Sequence, residues 1–385
     1  MRVGVIAYEL EGTRSGVGRY LEGLLQGAAE LGDDRYRWHL FMKGDRFDEP
    51  LFNRPGLDVS FDGRPGARPI AWEQIRLPGL LRRIGVDAVF SPGYSLPGFV
   101  GVPQIVTLHD LSFEHLREEF RWREGLRRRL LARQAARRAT RVLVDTEAMA
   151  KDLQRTYRLE PTKIGVVPLA VDRRFFDRAK PDTDKLHELG VKTPYTVFLG
   201  SILPRRHVDR LIDAFARVAP TDMQLVIAGR DRLPATGQLS SWIEASPARD
   251  RILRLDYVPE HALVQLYAGA EASVYLSSYE GYGLPPLESL AAGTVTLASP
   301  GMALDDLVPD YPFRTSPEAD QVADAFDRLL NAADRSQVVD EARKKLAELS
   351  WQACAKRWLD ELDIGFGRSG IQIPGSGSHI SEGQG

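Results

Sequence analysis

The chain has 385 residues, of which 43% are hydrophobic and 27% are charged, so it contains enough apolar material for full-sized cores and is not disordered as a whole. At about 150 residues per domain, this length predicts two or three domains, and two is the simpler interpretation. Lys and Arg number 51 against 53 Asp and Glu, which argues against a general nucleic-acid binder. The one cysteine, Cys354, excludes an internal disulfide framework and a cysteine-based zinc site and is compatible with a cytoplasmic location.

The N-terminus, MRVGVIAYEL, predicts a first strand. Its short apolar run meets Glu9 and Glu11 at once, so it lacks the long apolar region of a secretory signal. No stretch of the sequence approaches about 18 uninterrupted apolar residues, the length that predicts a membrane-spanning helix. Any membrane contact is therefore expected to be peripheral.

Short apolar runs alternate with helical patterns along the chain, which predicts parallel sheets built from strand–helix–strand units. The predicted strands of the first half are Val3–Ala7, His39–Met42, Ala88–Phe90, Gln104–Leu108 and Arg141–Val144. Those of the second half are Tyr195–Leu199, Gln224–Ala228, Ile252–Leu255, Ala272–Tyr275 and Thr294–Ala298. Because the pattern occurs twice, the sequence predicts two similar α/β domains with doubly wound parallel sheets.

The domain boundaries are indicated by changes in composition. The polar and charged segment Arg173–Pro194 predicts a linker between an N-terminal domain, 1–175, and a C-terminal domain, 190–350. A last amphipathic helix is expected at about 351–366. Residues 367–385 are rich in Gly and Ser and are predicted to form a disordered tail.

The most informative segment runs from Ser277 to Ser299, SSYEGYGLPPLESLAAGTVTLAS. After a predicted strand it places a loop, Glu280–Leu284, and then a helix that begins at Pro285 or Pro286. In doubly wound sheets, ligands bind beyond the carboxyl ends of the strands. The loop is therefore expected to contact a ligand.

Two carboxylates flank this loop. Gly281 and Gly283 allow successive N–H groups to point at one ligand, and the helix N-terminus adds a positive end. Glu280 and Glu288 beside such a loop suit a hydroxyl-rich ligand, because each carboxylate oxygen accepts hydrogen bonds from sugar or ribose hydroxyls. The structural alternative, an acidic helix cap and a turn, is the simpler interpretation of either Glu taken alone.

A second candidate anion site lies between Leu199 and Phe215. Arg205 and Arg206 follow Pro204 at the predicted start of a helix. Two guanidinium groups at a helix N-terminus favour a diphosphate, especially one that gains charge as a leaving group. A solvated surface pair is the alternative.

Two further elements in the first half are weaker signals. The loop EGTRSGVGRY contains Gly16 and Gly18, which would allow a close backbone approach, but Leu21 breaks the GxGxxG pattern and no phosphate-binding GxxxxGK[ST] occurs. A plain turn is an equal alternative for this loop. His109 and Asp110 end the strand QIVTL, where such sheets present functional side chains, although a structural His is common there.

The segment Arg121–Arg141 carries nine arginines against one Glu, with Leu126, Leu130 and Leu131 interleaved. A basic amphipathic helix of this kind can rest on anionic lipid and bring an enzyme to a lipid-linked acceptor. A solvated helix face is the alternative.

Five segments together resemble one known family, the retaining glycosyltransferases of family 4, over about residues 1–365. They are GVGRY at Gly16–Tyr20, LHDL at Leu108–Leu111, PLAVD at Pro168–Asp172, RRH at Arg205–His207 and the Glu280-x7-Glu288 block. The resemblance implies the GT-B architecture, two Rossmann-like domains that face a central cleft. It also implies that the C-terminal domain binds the nucleotide sugar, that the N-terminal domain binds the acceptor, and that the last helix crosses back to the first domain.

The resemblance also implies roles for individual residues. Arg205 and Arg206 would hold the donor diphosphate, and Glu288 would accept hydrogen bonds from the ribose. His109 would lie near the transferred sugar. The other implied donor contacts are Glu280 and the backbone of Gly281, Tyr282, Gly283 and Leu284, with Gly16 and Gly18 near the phosphates. The family needs no divalent metal or other cofactor, and none is expected here.

The sequence departs from the family pattern at several positions. Arg206 and His207 replace the more usual Lys and Asn, and Asp145 and Thr146 replace a frequent Ser. Arg in place of Lys keeps the charge but changes a point contact into a fork, which alters the expected phosphate geometry.

The resemblance implies a hexosyltransferase that uses a nucleoside-diphosphate sugar and a polysaccharide, lipid-linked or natural-product acceptor. The sequence does not show the base or the sugar; the resemblance is compatible with a hexose such as mannose or rhamnose, carried by GDP, UDP or dTDP. Two alternatives stay open: an epimerase or hydrolase of the sugar nucleotide, and a non-catalytic binding protein. No nucleic-acid partner is expected, and any membrane contact would be peripheral, through 121–141, with a solvated helix face as the equal alternative.

Overall fold

The computed structural model describes residues 1–12, 16–98, 100–177, 181–233 and 235–368. Its strands are β1 Arg2–Ile6, β2 Arg37–Met42, β3 Leu57–Phe61, β4 Ala88–Ser91, β5 Gln104–Thr107, β6 Arg141–Val144, β7 Ile164–Val166, β8 Tyr195–Leu199, β9 Gln224–Ala228, β10 Ile252–Leu255, β11 Ala272–Tyr275 and β12 Thr296–Ala298. Its helices are α1 Gly16–Glu30, α2 Pro69–Ala71, α3 Leu77–Ile84, α4 Ser112–His115, α5 Trp122–Arg138, α6 Glu147–Tyr157, α7 Thr183–Glu188, α8 Val208–Val218, α9 Gln238–Ala245, α10 Glu260–Ala268, α11 Leu284–Ala292, α12 Ala303–Leu307, α13 Ala319–Asn331, α14 Arg335–Ala347 and α15 Trp351–Gly365.

The chain forms two compact units. The first comprises Met1–Leu169 and Trp351–Gly385, and the second comprises Ala170–Ser350. Most of the predicted tail, 369–385, lies outside the described residues.

The first unit is built on a seven-stranded sheet with the order β3-β2-β1-β4-β5-β6-β7, in which every pairing is parallel. Strands β4, β5 and β6 are buried at every position, as expected for a parallel sheet that is covered on both faces. The second unit has a five-stranded parallel sheet with the order β10-β9-β8-β11-β12. The prediction of two doubly wound parallel-sheet units is confirmed.

Each sheet has one point at which the strand order reverses. In the first sheet the chain moves outward from β1 to β3, and then returns to pair β4 with β1. In the second sheet β11 returns in the same way to pair with β8. Connections leave the strands on either side of such a reversal in opposite directions, so a crevice opens there beyond the carboxyl ends of the strands.

The last helix, α15, packs within the first unit. Its Trp358 stacks on Trp38 of β2 with ring centroids 4.7 Å apart, and Arg141 of β6 forms an ion pair with Glu361. Trp351 lies against Gly27 of α1, where a Cβ would come within 2.2 Å of the Trp351 carbonyl oxygen. Only a glycine permits this approach of the two helices.

The structure corrects several local predictions. Strands β3 and β7 were not predicted: β3 is only half-buried and contains Asp58, and β7 has only three residues. The predicted linker Arg173–Pro194 contains a 3₁₀ turn, Arg173–Phe176, and helix α7. The last predicted strand of the second half begins at Thr296 and not at Thr294.

Candidate functional site

The loops that follow β8 and β11 flank the reversal point of the second sheet. The first contains Arg205 and Arg206, and the second contains Glu280. The two loops contact each other, because the Ser278 backbone N–H donates to the Arg205 carbonyl at 2.9 Å. Ser278 and His207 are also joined through their side chains. Motifs about 75 residues apart in sequence are thus brought together by the pairing of β8 with β11.

Arg206 is held by contacts from three directions. Its Nε donates to Glu280 Oε1 at 2.8 Å, and its Nη1 donates to the Ser201 carbonyl at 2.9 Å. Its Cζ lies 5.1 Å from the ring centre of Tyr275, a cation–π distance. The guanidinium is therefore fixed at the carboxyl ends of the strands by partners from both loops.

Glu280 accepts three hydrogen bonds on one oxygen. Besides Arg206 Nε, the Tyr275 hydroxyl donates to Oε1 at 3.1 Å and the Ser277 hydroxyl donates to it at 3.2 Å. Burial, together with the Glu280 charge, raises the pKa of Tyr275, so its hydroxyl remains a donor. The side chains of Arg206 and Glu280 are only 13% and 11% exposed, which strengthens their attraction relative to an exposed pair.

The turn that contains Arg205 and Arg206 differs from the prediction. The two arginines lie in a separate 3₁₀ turn, Pro204–Arg206, and α8 begins only at Val208. Between them His207 adopts a left-handed conformation with φ 44°. The arginines therefore precede the helix instead of forming its first turn.

The Gly-containing loop leads into α11 as predicted, although the helix begins at Leu284, just before the two prolines. Gly283 has φ +81°, and a Cβ there would lie 2.7 Å from Met302 Sδ. Conformation and space therefore both require glycine. Gly281 and Tyr282 are buried beside it, and Glu288 is half-buried in the helix. Gly293 ends α11 with φ 97°.

The remaining predicted site residues belong to the first unit. His109 follows β5, and its ring nitrogens lie 2.7 Å from Asp145 Oδ2 and 2.9 Å from the Pro92 carbonyl oxygen. Gly16 and Gly18 are not in a loop as predicted, because they form the first turn of α1. Residues 13–15, which lead into that turn, lie outside the described residues.

Sequence reasoning missed two residues. The sequence indicates only that Tyr275 ends a strand, but its side chain contacts both Arg206 and Glu280. Glu73 lies in one turn of π-helix, Trp72–Arg76, and is fully buried. Single π turns are frequent at functional sites, but nothing in the local sequence indicates one.

Glu73 and its neighbour hold the loop that follows β4. The Ser95 hydroxyl and the Gln74 amide donate to the Glu73 carboxylate at 2.8 and 2.9 Å. Gln74 also bonds to the Leu96 carbonyl and to the Gly98 N–H. Burial raises the pKa of Glu73 to about 7, although the two hydrogen bonds to its carboxylate oppose the shift.

Helix α5 has one buried and one exposed face. Its small residues Gly125, Ala132, Ala135 and Ala136 face the unit. On the outer face Trp122, Leu126 and Leu130, four residues apart, are 70%, 42% and 60% exposed. Exposed arginines lie beside these residues along the helix: Arg123, Arg127, Arg133 and Arg137. The exposed surface of the helix therefore combines apolar and cationic groups.

Two kinds of feature are absent from the described part of the chain. No group of three or more His, Cys, Asp or Glu residues there is arranged to hold a metal ion. None of the helices in the same ranges is both long and apolar enough to cross a membrane.

Comparison with known families matches both units. The family described as Glycosyltransferase Family 4 matches residues 14–175, and the family described as Glycosyl transferases group 1 matches residues 180–346. Together the two matches cover most of the chain. The chain belongs to the glycosyltransferases of the family 4 type, as its motifs predict.

Curated relatives include mannosyltransferases. The MMP alpha-(1->4)-mannosyltransferase of Mycolicibacterium hassiacum is 27% identical over 275 residues, which cover 66% of this chain and 64% of that protein. The GDP-mannose-dependent alpha-(1-6)-phosphatidylinositol dimannoside mannosyltransferase of Mycobacterium tuberculosis is 28% identical over 210 residues, 53% of each chain. The chain thus spans less than two thirds of the length of these relatives.

Solved structures share the fold. Sucrose-phosphate synthase from Thermosynechococcus elongatus superposes with a TM-score of 0.73 at 18% identity, over 96% of this chain and 100% of that one. HepE from Anabaena, in complex with UDP and glucose, gives 0.72 at 16% identity, over 94% and 99%. These structures support the predicted fold class.

The raised pKa of Glu73 predicts how stability depends on pH. The folded state binds this proton more tightly than the unfolded chain, so the contribution to stability is fully present below pH 4.5 and is lost as the pH rises through about 7. The wild type should therefore lose stability relative to Glu73→Gln as the pH rises. The free energy of unfolding of the variant minus that of the wild type should increase by about 2 kcal/mol from about pH 5 to about pH 8. Urea unfolding at both pH values measures this difference.

The exposed Glu118 supplies the matched control. Glu118→Gln should show the same difference from wild type at both pH values. A difference between Glu73→Gln and wild type that is constant across the pH range would contradict the prediction.

Proposed function

We propose that this protein is a retaining glycosyltransferase that moves a hexose from a nucleoside-diphosphate sugar to a hydroxyl acceptor without a divalent metal. The observation that carries the proposal is the Arg206–Glu280 pair at the reversal point of the second sheet. A cation fixed beside a glycine-containing loop and a helix N-terminus suits a diphosphate. Family membership supports the same function.

In this proposal the second unit binds the donor. Arg205 and Arg206 hold the diphosphate, together with the N-terminus of α11. Glu288, half-buried in α11, accepts hydrogen bonds from the ribose hydroxyls. The backbone of 281–284 and the Glu280 carboxylate orient the transferred sugar.

The chemistry proceeds on one face of the sugar. The bond between the anomeric carbon and the diphosphate oxygen breaks, and the bond to the acceptor oxygen forms on the same side, so the configuration is retained. The departing diphosphate takes the acceptor proton, and the arginines stabilise its growing charge. Glu280 is a weak nucleophile because one of its oxygens already accepts three hydrogen bonds, and its role is to position Arg206 and the sugar.

Mannose is the first sugar to test, with GDP as its carrier. The names of the curated relatives support this choice, since they include mannosyltransferases and one GDP-mannose-dependent enzyme. UDP-glucose is the second donor, because HepE is described in complex with UDP and glucose.

The acceptor is proposed to be lipid-linked or otherwise near a membrane surface. The outer face of α5 exposes Trp122, Leu126 and Leu130 beside arginines, which suits the interface of an anionic bilayer. This contact is peripheral and concerns the first unit alone.

Arg206→Ala should lower the rate of sugar transfer by at least about a hundredfold, because it removes the cation that stabilises the leaving group. Arg206→Lys should retain more activity than Arg206→Ala, since it keeps the charge and avoids leaving Glu280 as an uncompensated half-buried carboxylate. Transfer is measured by product analysis with each sugar nucleotide, with and without a chelator. Wild-type activity should be unchanged by the chelator.

The control for this experiment is Arg217→Ala, at an exposed position on α8 of the same unit, which should transfer at the wild-type rate. Near-normal transfer by Arg206→Ala would remove the proposed role. Rapid hydrolysis or epimerisation without an acceptor would replace the transferase with an enzyme that acts on the sugar nucleotide itself. Activity lost in chelator and restored by Mg²⁺ would refute metal independence.

Vesicle sedimentation tests the proposed membrane face. The protein should bind vesicles that contain phosphatidylglycerol at low salt and bind pure phosphatidylcholine less. The double variant Arg123→Glu/Arg127→Glu should bind at least about tenfold more weakly. Arg249→Glu/Lys345→Glu reverses the same charge on exposed positions of the second unit and should bind as wild type does. Absence of wild-type binding to the anionic vesicles would remove the membrane contact.

A further inference from the structure

The two ring nitrogens of His109 both face acceptors. Nε2 lies 2.9 Å from the Pro92 carbonyl oxygen, which can only accept, so Nε2 must carry a hydrogen. Nδ1 lies 2.7 Å from Asp145 Oδ2, a distance typical of a charge-assisted hydrogen bond. The ring therefore has no nitrogen left with which to take a proton from a substrate.

Asp145 depends on this contact. The residue is 3% exposed, and its other oxygen, Oδ1, has no hydrogen-bond donor within the described residues. A buried carboxylate with so few donors is costly unless a neighbouring positive charge compensates it. His109 is the group placed to supply that charge.

The surroundings of the ring fix it further. Tyr20 of α1 meets His109 edge to face, with ring centroids 4.7 Å apart, and its hydroxyl bonds to Thr107 of β5. Asp110 is a further charged group beside His109, and its carboxylate accepts hydrogen bonds from the backbone N–H and the hydroxyl of Ser112. His109 thus joins α1, the loop after β4, the end of β5 and the residue after β6.

We propose that Asp145 is a positioning residue that holds His109 as an imidazolium with both N–H groups engaged. In this state His109 orders the loops at the carboxyl ends of the first sheet and acts as a fixed cation, not as a base. The contacts of the two side chains support the charge state, whereas its bearing on catalysis rests on the proposed function.

Burial raises the pKa of the Asp145 carboxyl, and the His109 charge and hydrogen bond oppose that shift. For His109 the balance favours the charged form. Burial lowers the pKa of His109, but the Asp145 carboxylate and the Pro92 carbonyl outweigh burial, and the pKa is raised above its ordinary value. The tyrosine packed on the ring is neutral, because burial raises its pKa well above 10. Without Asp145, burial would dominate, and the ring would lose its proton at lower pH.

NMR titration of the histidine side chains tests the charge state without any assay of activity. His109→Gln identifies the resonance by its loss. In the wild type that resonance should remain in its protonated position as the pH rises past 6.5, and in Asp145→Asn its midpoint should fall by about one pH unit or more. Asp152→Asn is the matched control, because Asp152 pairs with the exposed His115 and should leave the His109 midpoint unchanged.

A wild-type His109 that titrates at or below pH 6.5, or a midpoint unchanged by Asp145→Asn, would overturn the proposal. A second measurement follows the reaction. The pH profile of transfer should gain an inflection near neutral pH in Asp145→Asn that the wild type lacks, and Asp145→Glu should restore the wild-type profile. Failure of transfer itself would count against the proposed function. The NMR titration would still decide the charge state of His109 independently.

Discussion

The ion pair between Arg206 and Glu280 is the interaction on which the candidate donor site depends. The two side chains come from loops that follow neighbouring strands, β8 and β11. Each supplies the opposite charge that the other requires where little solvent reaches them. Tyr275 lies beneath both, stacking on the guanidinium and donating to the carboxylate. The pair joins the loops that follow two paired strands, and Tyr275 at the end of β11 contacts both side chains, so the sheet limits how far the pair can move.

A similar arrangement occurs in the first unit, where His109 and Asp145 follow the neighbouring strands β5 and β6. Here too a cation and a carboxylate from adjacent strand ends meet with little exposure, and a buried aromatic ring supports the cation. Each unit thus places one charged pair at the carboxyl ends of its strands. The last helix, α15, packs on the sheet that carries the His109–Asp145 pair. It does so through Trp358 and through the contact of Trp351 with α1.

The sequence predicted most of the second sheet and the main motifs, because buried parallel strands are short apolar runs between helical patterns. It missed β3, a half-exposed strand that includes Asp58, because it lacks that apolar signal. The helix after Arg206 was placed too early, since His207 adopts a left-handed conformation that separates the 3₁₀ turn from α8. Such a conformation in a non-glycine residue has no clear sequence signature.

Motif recognition identified the residue types of the site but not their partners. Arg206 and Glu280 were expected to contact the ligand separately, whereas the structure pairs them across the two loops. Glu73 and Asp145 gain their properties from burial and from contacts distant in sequence, which no local pattern encodes. In this account the donor diphosphate binds at the reversal point of the second sheet. Calorimetric titration of the wild type and of Arg206→Ala with GDP, UDP, ADP and dTDP in chelator tests this binding most directly. One nucleotide should bind the wild type more tightly than the others and should lose at least about tenfold in affinity in the variant. Absence of binding by all four, or equal binding by the variant, would contradict the claim.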